Sequence, residues 1–317
     1  MLALIGRRFV FALVTLAIVS VVVFTAVEML PGDMATAYLG RDATDESLAA
    51  LREEFGLNRP AYMRFFDWLV NAVQGDLGMS MARREAINDL ISIRLRNTLL
   101  LGISASLIGI PLAILLGVIA GLTRDRWPDI VVSMIAIFGM TLPEYVTATF
   151  LIFVFAIQLQ WFPAVTTVSP DAPIAEMLPN IVLPIITLTL VMMAHIMRLV
   201  RTSMIDVMIS DYVQMARLKG VPYMRVVFYH ALPNAMLPTI NIVALTIAWL
   251  LGGVLIIEFV FNYPGIGRLM ITGIYDRDLL LVQGIAIVLA SIYVLVNLIA
   301  DLLTLLLNPR LRTARGH

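Results

Sequence analysis

Six stretches of this chain are each long enough, and poor enough in charge, to cross a lipid bilayer as a helix. The first covers residues 9–27 and the second falls within 97–123; neither contains a charged residue. The third spans 130–157 and is interrupted only by Glu144, and the fourth lies within 177–197 with His195 as its one ionisable side chain. The fifth falls within 235–257, and the sixth covers 279–307 with Asp301 near its end. With 60% hydrophobic and 14% charged residues, a water-soluble fold would have to expose large apolar patches. The bilayer is therefore the expected solvent, and the fold class an all-α polytopic membrane protein with six transmembrane helices. The first apolar run, nineteen residues with no A-x-A site after it, reads as a retained span rather than a cleaved signal peptide.

Basic residues orient these spans. Arg7 and Arg8 precede the first, and Arg124 and Arg126 separate the second from the third. Arg198, Arg201, Arg217, Lys219 and Arg225 lie between the fourth and fifth, and Arg310, Arg312 and Arg315 end the chain. The loop between spans three and four has neither Arg nor Lys. The positive-inside rule then places both termini and residues 198–234 in the cytoplasm. The long 28–96 segment, in which acids outnumber arginines, is expected on the opposite side. The resulting division is 1–28 for the first transmembrane helix, 29–96 for an extracytoplasmic helical insert, 97–307 for a five-helix core with a cytoplasmic loop at 203–234, and 308–317 for a cytoplasmic tail.

Several chemistries are excluded early. There is no cysteine, hence no disulfide scaffold, thiolate metal site or Cys nucleophile. The formal net charge is zero and no basic tract is long enough to suggest nucleic acid as a partner. Lys219 is the only lysine and no G-x-x-x-x-G-K-[ST] precedes it, so ATP binding is not expected in this chain. Paired acids, H-E-x-x-H and G-x-S-x-G are all lacking, which argues against an intramembrane enzyme. An ATP-independent secondary transporter would favour repeated halves and paired intramembrane charges, and no clear repeat or pair is visible.

The two polar segments have local structure of their own. In the insert, Thr44 or Asp45 is placed to cap a helix with the stripe Leu48, Leu51 and Phe55, ended by Gly56. Pro60 suits the start of a second helix with the stripe Phe65, Phe66, Leu69, Val70 and Val73, closed by Gly75. A third amphipathic stretch, Ile87, Leu90, Ile91 and Leu95, leads into span two. Such helices either lie on the membrane surface or cap a pathway. In the cytoplasmic segment, Ile205, Met208, Ile209, Tyr212, Met215 and Ala216 recur with helical spacing, opposite Asp206, Ser210, Gln214 and Arg217. Gly220 permits a sharp turn, Pro222 stops the first helix, and a second stripe of Met224, Val227, Phe228 and Ala231 follows. Two short helices joined at a Gly-Pro elbow are expected.

This segment carries a resemblance. Ala216-x-x-x-Gly220, nine residues, then His230-x-Leu232-Pro233 resembles the EAA loop of ABC-importer permeases. The wider DYVQMARLKGVPYMRVVFYHALPNAMLP is similar to the version in the dipeptide/oligopeptide/nickel permease family. So are Leu30-Pro31-Gly32-Asp33, Phe55-Gly56-Leu57-Asn58-Arg59-Pro60, Gln74-Gly75-Asp76-Leu77-Gly78, Leu142-Pro143, the run from Glu258 through Tyr263-Pro264-Gly265 to Gly267, and Asn308-Pro309-Arg310-Leu311-Arg312. The resemblance implies a type I ABC-importer (MetI-like) permease fold. It also implies a non-catalytic subunit of the bacterial inner membrane that carries di- or oligopeptides, with nickel chelates, opines or oligosaccharides as alternatives. It further implies a second permease subunit, two cytoplasmic ATPases that bind ATP and Mg, and an extracytoplasmic substrate-binding protein; no cofactor belongs to this chain. The ATPase-coupling residues implied are Gln214, Ala216, Arg217, Leu218, Lys219, Gly220, Val221, Pro222 and Tyr223. Gln214, Met215 and His230 depart from the EAA consensus, so no role of the motif's Glu carries over.

Among residues of the spans, Glu144 with Pro143, and Glu258, are candidates for lining or gating the pathway, because intramembrane acids are costly to bury. His195 is expected to be a satisfied packing residue, and Asp301 part of a structural pair. Pro111, Pro143 and Pro184 are expected to kink or start helices.

Overall fold

The computed structural model describes residues 2–29, 34–39 and 44–307; the Leu30–Asp33 string and the 308–317 tail lie outside them. Almost every element is a helix, as it must be where no water is present to satisfy backbone N–H and C=O groups. The order is α1 (Leu2–Glu28), α2 (Met34–Leu39), α3 (Asp45–Glu54) and α4 (Ala61–Val73), then the antiparallel hairpin β1 (Met79–Ser80) and β2 (Glu85–Ala86). Next come α5 (Ile87–Leu122), α6 (Trp127–Thr141) and α7 (Glu144–Leu151), which continues as a π-helical turn over Ile152–Gln158. The chain then forms α8 (Ile174–Met177), α9 (Val182–Met208), α10 (Asp211–Leu218) and α11 (Tyr223–Arg225) with a π turn at Val226–Ala231. It ends with α12 (Leu232–Val260), α13 (Ile266–Tyr275) and α14 (Leu279–Leu307).

Among the described residues, five helices are long and apolar enough to cross a membrane, and six if α6 and α7 with its π turn count as one broken span. That pair is the main departure from the expected spans. Instead of a single helix over 130–157, the chain bends by 110° between Thr141 and Glu144. Pro143 has no N–H to donate and forces Leu142 into extended backbone (ψ 128°), so the helix cannot continue through them. Helix α5 also begins ten residues before the expected second span, absorbing the amphipathic 87–95 stretch without a break.

The chain divides into two compact units. One comprises Met1–Thr98, Ser169–Ala172 and Pro264–Val294. In it, Thr44 caps α3 by accepting the Ser47 N–H, and Gly56 (φ 62°) closes that helix as its spacing suggested. Helix α4 buries Trp68 and stacks Phe65 against Phe24 of α1, with ring centroids 5.1 Å apart. Of the rest of its expected stripe, Leu69 is half-buried and Phe66, Val70 and Val73 are exposed. Fully buried Asp278 joins the hairpin to α14: its carboxylate accepts from the Ser80 hydroxyl (2.5 Å) and from the Leu281 N–H (3.2 Å), which caps the helix. Asn97 similarly donates to the Pro170 and Pro264 carbonyls, each at 2.9 Å.

The second unit comprises Leu99–Val168, Pro173–Tyr263 and Leu295–His317. Its centre is α9, against which α6, α7 and α12 pack. In α9, 61% of the most apolar window is buried, against 11–29% in the other spans, so α9 is enclosed by this chain while the others present uncovered apolar faces. Helix α5 approaches it through small residues. A Cβ added at Gly117 would lie 2.9 Å from the Met197 carbonyl oxygen and 2.7 Å from the Val200 Cβ, and Gly121 is similarly tight against Met204. This Gly117-x-x-x-Gly121 face lets two backbones approach closely, a common basis for helix association where no water drives it.

Candidate coupling site

Helix α9 ends at Met208, and the chain turns through Ile209 and Ser210 before α10 starts. Ser210 is extended (φ −69°, ψ 149°), and Asp211 in the first turn faces the positive end of the helix dipole. The Gln214 side chain spans the break by donating to the Ile209 carbonyl at 2.9 Å. The far end of α10 closes with two backbone bonds, Gly220 N–H to Arg217 C=O (2.9 Å) and Val221 N–H to Ala216 C=O (3.2 Å). This closure needs a left-handed residue after the helix; Gly220 has φ 79° and open space where a Cβ would stand. Pro222 then leads into α11, where its missing N–H leaves no bond unmade.

The break at Ser210 changes which face of α10 is buried. Val213, Ala216 and Val226 form a small core with Val207, Met208 and Val221 around it. Tyr212 and Met215, expected on the inner stripe, point outward, as do Met224 and Phe228. An uninterrupted helix would have kept them in phase with Ile205; the two-residue turn resets that phase. Of the residues assigned to coupling, Gln214, Arg217, Leu218, Lys219, Gly220, Pro222 and Tyr223 are exposed, whereas Ala216 is buried and Val221 half-buried in the elbow's own core. Leu218 is 82% exposed, beside Met215 at 53% and Met224 at 62%. Arg217 lies over the Tyr223 ring, 5.6 Å from its centroid, which holds the two together across the elbow.

A polar clamp not anticipated from sequence sits where α6 meets α9. Arg201 donates through Nε and Nη2 to the two oxygens of Asp129, the second bond measuring 2.7 Å. The Asp125 N–H (2.9 Å) and the Ser133 hydroxyl (3.2 Å) add to the same carboxylate. Asp129 is 3% exposed, so this fork supplies the pairing that a buried carboxylate requires. In the sequence Arg201 stands out only as a topological marker, and Asp129 at the threshold of span three is the one signal of the pair.

The pathway candidates differ from one another. Glu144 opens α7 directly after the bend, partly buried, and its Oε2 is buried without a hydrogen-bond partner, as is the Thr147 hydroxyl one turn on. Glu258 is fully enclosed near the end of α12 and is engaged within the fold; its carbonyl accepts the Tyr263 N–H at 2.7 Å. His195 bonds the Val191 carbonyl through Nδ1 (3.2 Å) and packs against Trp249. The Asp301 side chain lies outside the described part of the structure.

Comparison with known proteins adds a family to this geometry. Residues 113–313 match the family described as binding-protein-dependent transport system inner membrane component, and residues 1–102 match the companion N-terminal family. The chain is 37% identical over 312 residues to the glutathione transport system permease protein GsiC of Shigella flexneri serotype 5b, covering 98% of this chain and 99% of that protein. The same permease of Escherichia coli strain K12 is 36% identical over the same length and shares.

Proposed function

From the premise that the chain belongs to the family of binding-protein-dependent transport system inner membrane components, we propose that it forms, with a second similar permease, the pathway for a short peptide. The chain is a non-catalytic, multi-pass permease subunit of an ABC importer in a bacterial inner membrane. In the proposed assembly, two cytoplasmic ATPases bind ATP and Mg, and an extracytoplasmic binding protein delivers the substrate. Both termini and the elbow face the cytoplasm, 29–96 forms the extracytoplasmic insert, and 97–307 the permease core.

The observation that carries this reading is the elbow's construction. Its inner side is closed by Val213, Ala216 and Val226, yet Met215, Leu218 and Met224 stand exposed on a turn held by backbone bonds. A rigid knob with apolar side chains outward suits insertion into a groove of an ATPase, whose closure it would pass to α9 and α12 as a rigid-body movement. Gln214, Ala216 and Val221 support the elbow; Arg217, Leu218, Lys219, Gly220, Pro222 and Tyr223 make the contact. Glu144 lines the pathway beside the Pro143 bend, while the enclosure of Glu258 favours an anchoring role.

The relatives' glutathione name points to a tripeptide-sized substrate, and peptides of that size are the proposed cargo. The test has two arms. The solubilised protein should co-purify with its ATPase and transport should require ATP; ATP-independent transport without an ATPase would sink the permease assembly. A thermal-shift screen of the cognate binding protein should select glutathione or short peptides over metal chelates and sugars, and selection of either of the latter would remove the peptide assignment.

A further inference from the structure

In the unit that contains the insert, α4 is held at the ends of two spans. On α1, Phe65 stacks against Phe24 and Arg64 pairs with Glu28. Trp68 lines the same cavity as Leu279 and Leu280, the first residues of α14. The depth of this position in a bilayer follows from α1. Its apolar span, Val10–Glu28, has 19 residues, with Arg7 and Arg8 just before it. At 1.5 Å per residue such a span is about 28 Å long, no longer than the hydrocarbon core of roughly 30 Å. Helix α1 therefore has no length to spare, and Glu28 marks the boundary of the membrane. Phe24, one turn inside it, lies at the edge of the hydrocarbon, and a helix stacked on Phe24 lies in that boundary layer.

The side chains of α4 divide into three arcs, about 110–140° apart at 100° per residue. Phe65 and Trp68 face α1 and the start of α14. Asp67 and Asn71 are polar and exposed, and Asp67 pairs in the open with Arg59 at 2.7 Å. The third arc, Tyr62, Met63, Phe66, Val70 and Val73, is apolar and equally exposed. Helix α3 of the same insert differs: it exposes no large apolar side chain, and its open positions are acidic or alanine. A helix with water on every free side has no reason to sort its exposed residues by polarity. One with water on one flank and an apolar solvent on the other does. Within a turn of Phe24, α1 is itself uncovered at Val21 and Val22, so an apolar solvent is already present at that level.

We propose that the face formed by Tyr62, Phe66, Val70 and Val73 is a lipid-binding surface. Helix α4 rests on the membrane boundary with this face in the acyl-chain edge of the leaflet and with Asp67 and Asn71 toward water. The ligand is lipid hydrocarbon rather than an anionic headgroup. The apolar arc holds no basic side chain, and the arginines at the start of α4, Arg59 and Arg64, are paired with Asp67 and Glu28. A free interfacial helix recruits itself with basic residues, whereas α4 is brought to the surface by α1, so burial of its apolar arc is sufficient. The Tyr62 ring, with an apolar body and a polar tip, suits the headgroup level. The insert is thereby tied to the bilayer through α4 as well as through α1 and α5. The inference goes beyond the transport reading and rests only on α1 crossing the membrane.

The chain has no cysteine, so single cysteines can be spin-labelled without background. The full chain carrying Phe66→Cys, Val70→Cys, Asn71→Cys or, as the reference on α1, Val22→Cys is placed in nanodiscs of phosphatidylcholine and phosphatidylglycerol. Power-saturation EPR then compares collisions with oxygen, which concentrates in lipid, and with a neutral nickel chelate, which stays in water. The labels at Phe66 and Val70 should favour oxygen, as the Val22 label does, and the label at Asn71 should favour nickel. The accessibility ratio therefore changes sign between adjacent positions 70 and 71. Tyr62→Cys and Val73→Cys read the same arc, so a single variant that fails to give monodisperse discs does not end the test. Preference for nickel at Phe66 and Val70 would put the arc in water. Low collision with both reagents would mean that protein covers it, a second copy of the chain in discs of this one component. Either result overturns the lipid surface. Neither bears on cargo or ATPase, so such a failure leaves the transport reading standing.

Discussion

Helices α5 and α9 meet through glycines, with Gly117 and Gly121 set against Val200 and Met204 so closely that no side chain fits between. The elbow between α9 and α12 does the reverse. It keeps large apolar residues, Met215, Leu218 and Met224, and leaves them uncovered. Both regions are apolar, and both are built from short-range helical geometry. The difference lies in what completes each one. The α5–α9 contact is finished within the chain, so its residues serve stability; the elbow's outer face is left uncovered by this chain, and in the proposed assembly its residues serve association. Substitutions should therefore separate cleanly into those that unfold the protein and those that leave it folded but uncoupled.

The largest effect is expected from Gly117→Val, which drives a branched side chain into the Met197 carbonyl and should cost about 3 kcal/mol. The monodisperse fraction after solubilisation should collapse, and a near-normal melting temperature would show that the two helices do not pack as described. Arg201→Met comes next. Asp129 would keep a buried charge without its fork, costing about 2 kcal/mol, less than a fully buried pair because Arg201 is 28% exposed. Pairing it with Asp129→Leu should recover much of that loss in the same melting assay.

On the other side of the comparison, Met215→Glu combined with Leu218→Glu should leave stability within about 0.5 kcal/mol, as substitutions at exposed sites usually do. ATPase recovered by co-purification should nevertheless fall roughly tenfold, about 1.4 kcal/mol. Retained ATPase would remove the exposed face from the interface. Gly220→Val should cost about 1–2 kcal/mol, because its φ of 79° is unfavourable for any side chain even though space is available. Membrane insertion should be normal and ATP-coupled transport reduced; wild-type transport would mean that the turn's geometry is not what couples. The smallest change in stability is expected from Glu144→Gln, which keeps the shape and removes the charge. Its melting temperature should hold while transport slows, and an unaltered transport rate would take Glu144 out of the pathway.

Much of the architecture was legible from local pattern. Long charge-poor runs announced the spans, and α14 begins where its run does, at Leu279. Thr44, Gly56, Gly75 and Gly220 marked helix ends correctly, because caps and left-handed turns are decided by neighbouring residues. Pro143 marked the break after Thr141, but the apolar run looked continuous and did not show that the bend would reach 110°. The outward face of α10 was hidden for a similar reason. Ser210 interrupts the helix while the apolar spacing from Ile205 to Ala216 runs straight through it, and each residue of slip turns a helical face by about 100°.

The partnering of the polar groups was not legible at all. Asp129 finds Arg201 across 72 positions, Ser80 finds Asp278 across 198, and Trp68 shares a cavity with Gln283. Hydropathy and turn chemistry act over a few residues, so they state which segments enter the membrane and where helices stop. Which buried polar atom is answered, and which apolar face stays open, depends on what the chain brings alongside from far away. That is a property of packing in three dimensions, where a carboxylate with a guanidinium beside it becomes a fastening.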